Sequence, residues 1–461
     1  MANIKEKTRQ KASEAIIARD QAQMSPSYAR VFPLVVSEAK GSEIWDVDRK
    51  KYIDFMSGVG VLNVGHRHPH VVSAVQEQMQ AFWHICQSDF YSEIAVEVAE
   101  KLEAIRPFSE KSKVFFANSG TEAIEAAIKL ALHHTGRSKF IGFLGGFHGR
   151  TLGALSLTAS KVVQSAHFPN AVQTYHLPFP DPYRPTLATF PGEDIGQAVL
   201  RHLEEEIFTK KVLPTEVAAI VVEPIQGEGG YIVPPRGFFP ALRKLCDAHG
   251  ILLIVDEVQA GVGRTGRWWG IQHEDVEPDI IAFAKGIASG IPLGGILAKE
   301  SLMTWGPGAH ANTFGGNALA LAAAKATLEV IESESLLIRA ELLGKSIKTR
   351  LKAFQKRYPF IGDVRGRGLM LGMECIAEPQ RKTRAPGMRN TIVQQAFQNG
   401  LLLLPCGPNS IRLIPPLNVP EKLVDEALDI LEKTLEDVAA SYSNSAFSLP
   451  SPQRSEKSKA A

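Results

Sequence analysis

Several things are scarce in these 461 residues. There are four cysteines, Cys86, Cys246, Cys375 and Cys406, far apart and with no CxxC pair. That pattern suggests neither a zinc site nor a disulfide framework, and a reducing compartment is the simplest reading. Charge of one sign is also scarce: 51 Lys+Arg against 49 Asp+Glu leave a net charge of only +2. A protein built to hold nucleic acid or an acidic membrane surface carries a larger imbalance. No apolar run approaches the roughly 20 residues that span a bilayer. The N-terminus lacks the apolar core of a secretory signal, and Glu6, Glu14 and Asp20 weigh against a transit peptide. The expectation is a soluble, cytoplasmic protein without nucleic-acid or membrane partners. No internal repeat is visible.

What is present is ordinary globular material, 44% hydrophobic and 22% charged. The length suits about two or three domains. Residues 1–64 read as a polar, helical N-terminal arm followed by part of a smaller domain. In 65–325, short apolar runs alternate with amphipathic helical stretches. The runs are Val114–Ala117, Phe140–Phe143, Val217–Val222, Ile251–Val255 and Ile280–Ala284. Continuous apolar runs between helices mark strands buried on both faces, so this region is expected to be an α/β domain with a mostly parallel sheet. Residues 326–440 read as a smaller α+β domain, with strands at Gly368–Cys375, Leu401–Leu404 and Ile411–Ile414. From Ser441 to Ala461 the Ser/Pro/Lys composition predicts a disordered tail.

Ligands of such sheets sit beyond the carboxyl ends of the strands, and four strand ends carry polar residues. Asn118-Ser119-Gly120-Thr121-Glu122 lies between a strand and a helix. Ser119 or Asn118 can cap that helix, and the first-turn amides with two hydroxyls can cradle an anion; a plain helix cap would look the same. Ile251–Val255 ends on Asp256-Glu257, acids that are costly to bury without a cationic partner. Ile280–Ala284 ends on Lys285, where partial desolvation favours a neutral, nucleophilic amine. An Asp–Lys ion pair would also account for these two. Val217–Val222 runs into the acidic, glycine-rich Glu223–Gly230, which could equally be a tight surface turn. Gly261–Gly266 matches GxGxxG, but five residues separate it from its strand and no helix pattern follows, so a nicotinamide-nucleotide site is not expected there.

Pyridoxal phosphate needs an anion cradle, a carboxylate at its ring nitrogen and a lysine at its aldehyde, and the chain offers these in that order. The sequence resembles the class III aminotransferases, enzymes of fold type I that use pyridoxal 5'-phosphate. The resemblance is carried by Asn118–Glu122, Phe147–Thr151 (FHGRT), Glu223–Gly230 (EPIQGEGG), Asp256–Gln259 (DEVQ), Gly261–Gly266, Ala284-Lys285-Gly286, Thr313–Asn317 (TFGGN), Asp363–Gly368 (DVRGRG) and Ile411-Arg412-Leu413. It covers residues 30 to 438. Within the class, Gly58–Gly65 and Leu404–Arg412 look most like 4-aminobutyrate aminotransferases.

The resemblance implies roles for single residues. Lys285 binds the cofactor's aldehyde and moves the proton. Asp256 pairs with the pyridine nitrogen, Gln259 with the phenolic oxygen, and Gly120 and Thr121 with the phosphate. Phe147 stacks on the ring with His148 beside it. Thr313 reaches the phosphate of a neighbouring subunit, which implies a homodimer with shared sites, or a tetramer. For substrates, Arg150 binds a remote carboxylate and Arg412 an α-carboxylate, an arginine fork suiting either. Glu228 pairs with Arg412, Glu223 shapes the same pocket and Val59 borders the substrate. The implied reaction moves an amino group from an ω-amine, 4-aminobutyrate first, to 2-oxoglutarate. Acetylornithine or ornithine aminotransferase and an amino-acid racemase of the class are the alternatives.

Overall fold

A computed structural model describes residues 2–444. Three short strands come first: β1 (Val36–Lys40), β2 (Glu43–Asp46) and β3 (Lys51–Asp54). The central sheet is built from β4 (Ser112–Ala117), β5 (Lys139–Phe143), β6 (Gln173–Leu177), β7 (Val217–Val222), β8 (Leu252–Asp256), β9 (Ile280–Phe283) and β10 (Gly294–Lys299). Its order is β4-β10-β9-β8-β7-β5-β6. The pairs among β5 to β9 are parallel, and β10 runs antiparallel to both of its neighbours, β9 and β4. The sheet is therefore mostly parallel, as the apolar runs imply.

Strand alternation explains why those runs are continuous. In β8 and β9, Leu253, Val255, Ile281 and Phe283 face one core, with Leu242, Leu245 and Leu321 from helices Phe238–His249 and Ala318–Ser333. Leu252, Ile254, Ile280 and Ala282 face the other core, with Ala123, Ala127 and Leu130 of helix Gly120–Thr135. Both faces are covered, so no polar alternation survives. Each fully buried Val, Leu or Ile contributes about 1.5–3 kcal/mol relative to exposure. Truncating one, as in Ile254→Ala, should cost about 2–5 kcal/mol because a cavity is left as well.

The C-terminal region holds β11 (Ile361–Arg367), β12 (Met370–Cys375), β13 (Leu401–Leu402), β14 (Leu404–Cys406) and β15 (Ser410–Leu413). Four of these form an antiparallel sheet, β11-β12-β15-β14, while β13 pairs in parallel with β3 and so ties the N-terminal strands to the C-terminal region. Helix Ala2–Gln23 opens the chain, and helix Glu421–Asn444 runs through the first residues of the segment expected to be a disordered tail. The rest of that segment, 445–461, lies outside the described residues. Two central strands are not evident in the sequence. β6 is a polar edge strand, QTYHL, and β10 begins on two glycines. Among the described residues, no helix is long and apolar enough to cross a membrane.

The GxGxxG segment forms turns rather than a helix start. Its Arg264 is fully buried and donates to Asn63 Oδ1 at 2.7 Å and to the carbonyls of Leu369 and Pro415. Desolvation pulls this guanidinium down to about 10. The segment knits the N-terminal loop to the C-terminal region.

Candidate functional site

The carboxyl ends of β4, β7, β8 and β9 open on one cavity of about 450 Å³. It is lined by Gly120, Thr121, Phe147, His148, Arg150, Glu223, Glu228, Asp256, Gln259 and Lys285, together with Val61, Asn118, Ser119, Val258 and the segment Gly290–Leu293. Parallel strands place their following loops on the same side, which is why Asn118 and Lys285, 167 positions apart, meet here.

The anion cradle opens helix Gly120–Thr135. Ser119 is its N-cap and accepts from Glu122 N at 3.3 Å, so the serine caps rather than Asn118. Asn118 instead donates twice to Glu122 Oε2, from N at 2.6 Å and Nδ2 at 2.9 Å. The first-turn amides of Gly120 and Thr121 have no partner inside the helix and point at the cavity end, where the helix dipole favours an anion. Thr121 Oγ1 lies 2.7 Å from Thr151 Oγ1, and Thr151 donates on to Glu125 at 2.6 Å.

Asp256 ends β8. Its Oδ2 is 2.8 Å from His148 Nδ1, and both side chains are buried. Burial alone would lower the His148 pKa. The hydrogen bond and charge of Asp256, with the charge of Glu223, outweigh burial and leave it raised. Asp256 Oδ1 accepts from Val258 N at 3.0 Å, which fixes the other oxygen. Thr158 Oγ1 supports the His148 loop by accepting from His148 N at 2.9 Å.

Lys285 follows β9 at the start of a short turn, Lys285–Ala288, with φ +46°. The left-handed region is unusual for a lysine and marks a position imposed by its surroundings. Desolvation lowers its pKa, only partly countered by Asp256. Among the described residues, nothing is hydrogen-bonded to its Nζ. The Asp–Lys ion pair, an alternative from sequence, is not formed: Asp256 takes His148 instead.

Glu223, at the end of β7, accepts from Phe147 N at 3.0 Å and Gly227 N at 2.7 Å. Desolvation pushes its pKa up to about 7, with His148 opposing and Asp256 adding to the rise. Gln259 Oε1 accepts from Tyr231 Oη at 2.7 Å, which turns its amide nitrogen free of that contact. Arg150 is exposed, its Cζ 5.6 Å from the centre of the Phe147 ring. Among the described residues it has no carboxylate partner.

Arg412, in β15, stands behind Glu228 rather than on the cavity wall. It donates from Nη2 to Glu228 Oε2 at 2.8 Å and to the Pro405 carbonyl at 3.1 Å. The other Glu228 oxygen accepts from Lys161 Nζ at 2.6 Å. Burial raises the Glu228 pKa, but the charges of Arg412 and Lys161 win and leave it lowered. Arg412 Nε and Nη1 are buried with no acceptor among the described residues, an arrangement that suits an incoming carboxylate.

Besides Arg412, two expected residues are not on this cavity. Val59 sits at φ +68° in the turn Ser57–Gly60, and it is Val61 that lines the cavity. Thr313 lies in an exposed loop away from its own chain's cavity. Conversely, Tyr231, Thr158 and Lys161 support the site without a local signal. Arg365 of the DVRGRG segment holds the acidic loop by donating to Gly230 O at 2.8 Å and to Glu374 at 2.6 Å.

These residues fit pyridoxal phosphate. The first-turn amides of Gly120 and Thr121 would hold the phosphate, the buried Asp256 carboxylate would face the ring nitrogen, and the Lys285 amine would take the aldehyde. When bound, the cofactor supplies an electron sink for charge left on the carbon bearing the amine. Asp256, backed by His148 at 2.8 Å, would hold a proton at the ring nitrogen, and Lys285 Nζ, its pKa lowered by desolvation, would be the base that carries a proton to and from that carbon.

Known proteins are similar to this chain over most of its length. Residues 24–435 match the family described as aminotransferase class-III. The chain is 40% identical over 433 residues to the alanine/serine racemase of Pyrococcus horikoshii, covering 92% of this chain and 90% of the relative. It is 39% identical over 402 residues to a probable 4-aminobutyrate aminotransferase of Bacillus subtilis, covering 86% and 92%. The crystal structure of an (S)-enantioselective omega-transaminase from Thermomicrobium roseum superposes with a TM-score of 0.84 at 30% identity, covering 92% of this chain and 98% of that one. A family match over nearly the whole chain, on a fold type I scaffold with lysine, aspartate and cradle at the strand ends, makes this protein a member of the class III aminotransferases, the pyridoxal-phosphate-dependent enzymes.

Proposed function

We propose that the protein transfers an amino group from an ω-amino acid, 4-aminobutyrate in the first place, to 2-oxoglutarate. The observation that carries this reading is the pair of arginines with unequal partners. Arg150 is exposed and free of carboxylates, while Arg412 is buried and covered by Glu228. A donor with one remote carboxylate needs only Arg150. Glutamate and 2-oxoglutarate carry a second carboxylate beside the reacting carbon, and Arg412 becomes available to them when Glu228 gives way. The Bacillus subtilis relative agrees with this donor class. Arg150 holds the remote carboxylate, Arg412 or Glu228 completes the other end, and Lys285 moves the proton.

A homodimer with shared sites, or a tetramer of such dimers, belongs to the same proposal. Thr313 is exposed and would serve a partner's phosphate rather than its own. The cytoplasm is the proposed location.

A second reading is amino-acid racemisation, favoured by the 40% identity to the Pyrococcus horikoshii racemase. One experiment separates them. The holoenzyme is given 4-aminobutyrate, 5-aminovalerate, acetylornithine, ornithine or L-alanine, with and without 2-oxoglutarate. The proposal expects glutamate release, fastest with 4-aminobutyrate. D-alanine formed without any 2-oxo acid, with no glutamate from the ω-amines, would establish the racemase instead.

A further inference from the structure

Glu228 has two cationic partners, and only one belongs to the pair described above. Its Oε2 accepts from Arg412, whose side chain is 5% exposed, and its Oε1 accepts from Lys161, whose side chain is 46% exposed. The carboxylate thus bridges a buried cation and a solvent-facing one. Lys161 comes from the segment that leads into the short helix Val162–Ser165, on a different element from Arg412 in β15.

We propose that Lys161 is a positioning residue for dicarboxylate substrates: it keeps hold of Glu228 when an α-carboxylate takes Arg412. The inference rests on the aminotransferase reading and deepens it. Once Arg412 is claimed, Glu228 would be left ionised and mostly buried with no counter-charge, which is costly. Lys161 is already in contact at 2.6 Å, so Glu228 keeps one ion pair throughout and needs only to release the other. The flexible lysine stem can follow the carboxylate toward solvent, where a rigid guanidinium fork would follow less well. With an ω-amine bound, Glu228 retains Arg412, so Lys161 matters less.

The test uses holoenzyme and two carboxylates that cannot be turned over. Glutarate presents both carboxylates of 2-oxoglutarate, and butyrate presents only the remote one of 4-aminobutyrate. Dissociation constants are read from the change in cofactor absorbance. Lys161→Met keeps the aliphatic stem and removes the charge. Glutarate should bind about fivefold more weakly, the upper range for a partly exposed ion pair, and butyrate should change by less than about twofold. Lys161→Arg, which restores the charge on a stiffer group, should recover only part of the glutarate affinity, and in a Glu228→Ala background Lys161→Met should do nothing to either probe. Equal weakening of both probes, no weakening of glutarate, or an effect that persists without Glu228 would each overturn the role. The single-turnover rate of the wild type with glutamate keeps the two ideas apart. Should the wild type fail to react with glutamate, the proposed function falls, while the glutarate titration still decides the role of Lys161.

Discussion

His148 Nδ1 and Asp256 Oδ2 are 2.8 Å apart, both side chains buried at the wall of the cavity, and on the proposed reading this pair would serve the ring nitrogen of the cofactor. Asp256 brings the charge, and His148 fixes its direction. Asp256→Asn removes the charge and keeps the shape. The chemical step should slow by orders of magnitude while cofactor affinity falls far less. Single-turnover rates beside a cofactor titration check this; a loss confined to affinity would make Asp256 a mere anchor.

The same pair predicts a pH signature of stability. The folded-state pKa of His148 is raised, so its contribution is fully present below the unfolded value of about 6.5. That contribution fades as pH rises through the folded value. The stability difference between wild type and His148→Asn, measured by denaturant unfolding of the holoenzyme, should therefore shrink from pH 6 toward alkaline pH. A difference that grew with pH would contradict the assignment.

Lys285→Ala should leave an enzyme that still binds pyridoxal phosphate through the cradle, Asp256 and Gln259. Turnover should fall at least about 100- to 10,000-fold, the usual worth of a positioned acid–base group. Equilibrium dialysis reports the first and steady-state assays the second. Turnover within tenfold of wild type would remove Lys285 from the chemistry.

Gly149 has φ +143°, and a Cβ there would collide with Thr121 Oγ1, the hydroxyl at the phosphate cradle. Overpacking of this kind costs about 1–3 kcal/mol. Gly149→Ala should thus weaken cofactor binding by about tenfold or more. A cofactor titration of the apoenzyme measures the effect, and unchanged affinity would show that the cradle tolerates a shifted Thr121.

Much of this site is legible in the sequence because strands put their consequences at their ends. The runs before Asp256 and Lys285 are apolar enough to fix where each strand stops, and the parallel sheet then gathers the residues that follow. Contacts made across the fold leave no such trace. Nothing near Tyr231 says that its hydroxyl meets Gln259, and nothing near Lys161 says that it meets Glu228. At Val59 the difference is local: φ is positive at Gly58 and Val59, which coils the turn, and Val61 rather than Val59 lines the cavity. Thr313 could not be placed from one chain, since its loop lies outside that chain's own cavity. The β6 and β10 strands were hidden by polar and glycine residues that the apolar-run pattern does not detect.

The central claim is that one site serves two unlike substrates by exchanging partners at Arg412. Single-turnover rates of each half-reaction, with 4-aminobutyrate and with glutamate, test it most directly in wild type, Glu228→Ala and Arg412→Ala. Glu228→Ala should slow the 4-aminobutyrate half and spare or favour the glutamate half, because only the first leaves Arg412 buried without a counter-charge. Arg412→Ala should do the reverse. Equal losses in both halves for both variants would contradict the account and reduce the pair to a static ion pair.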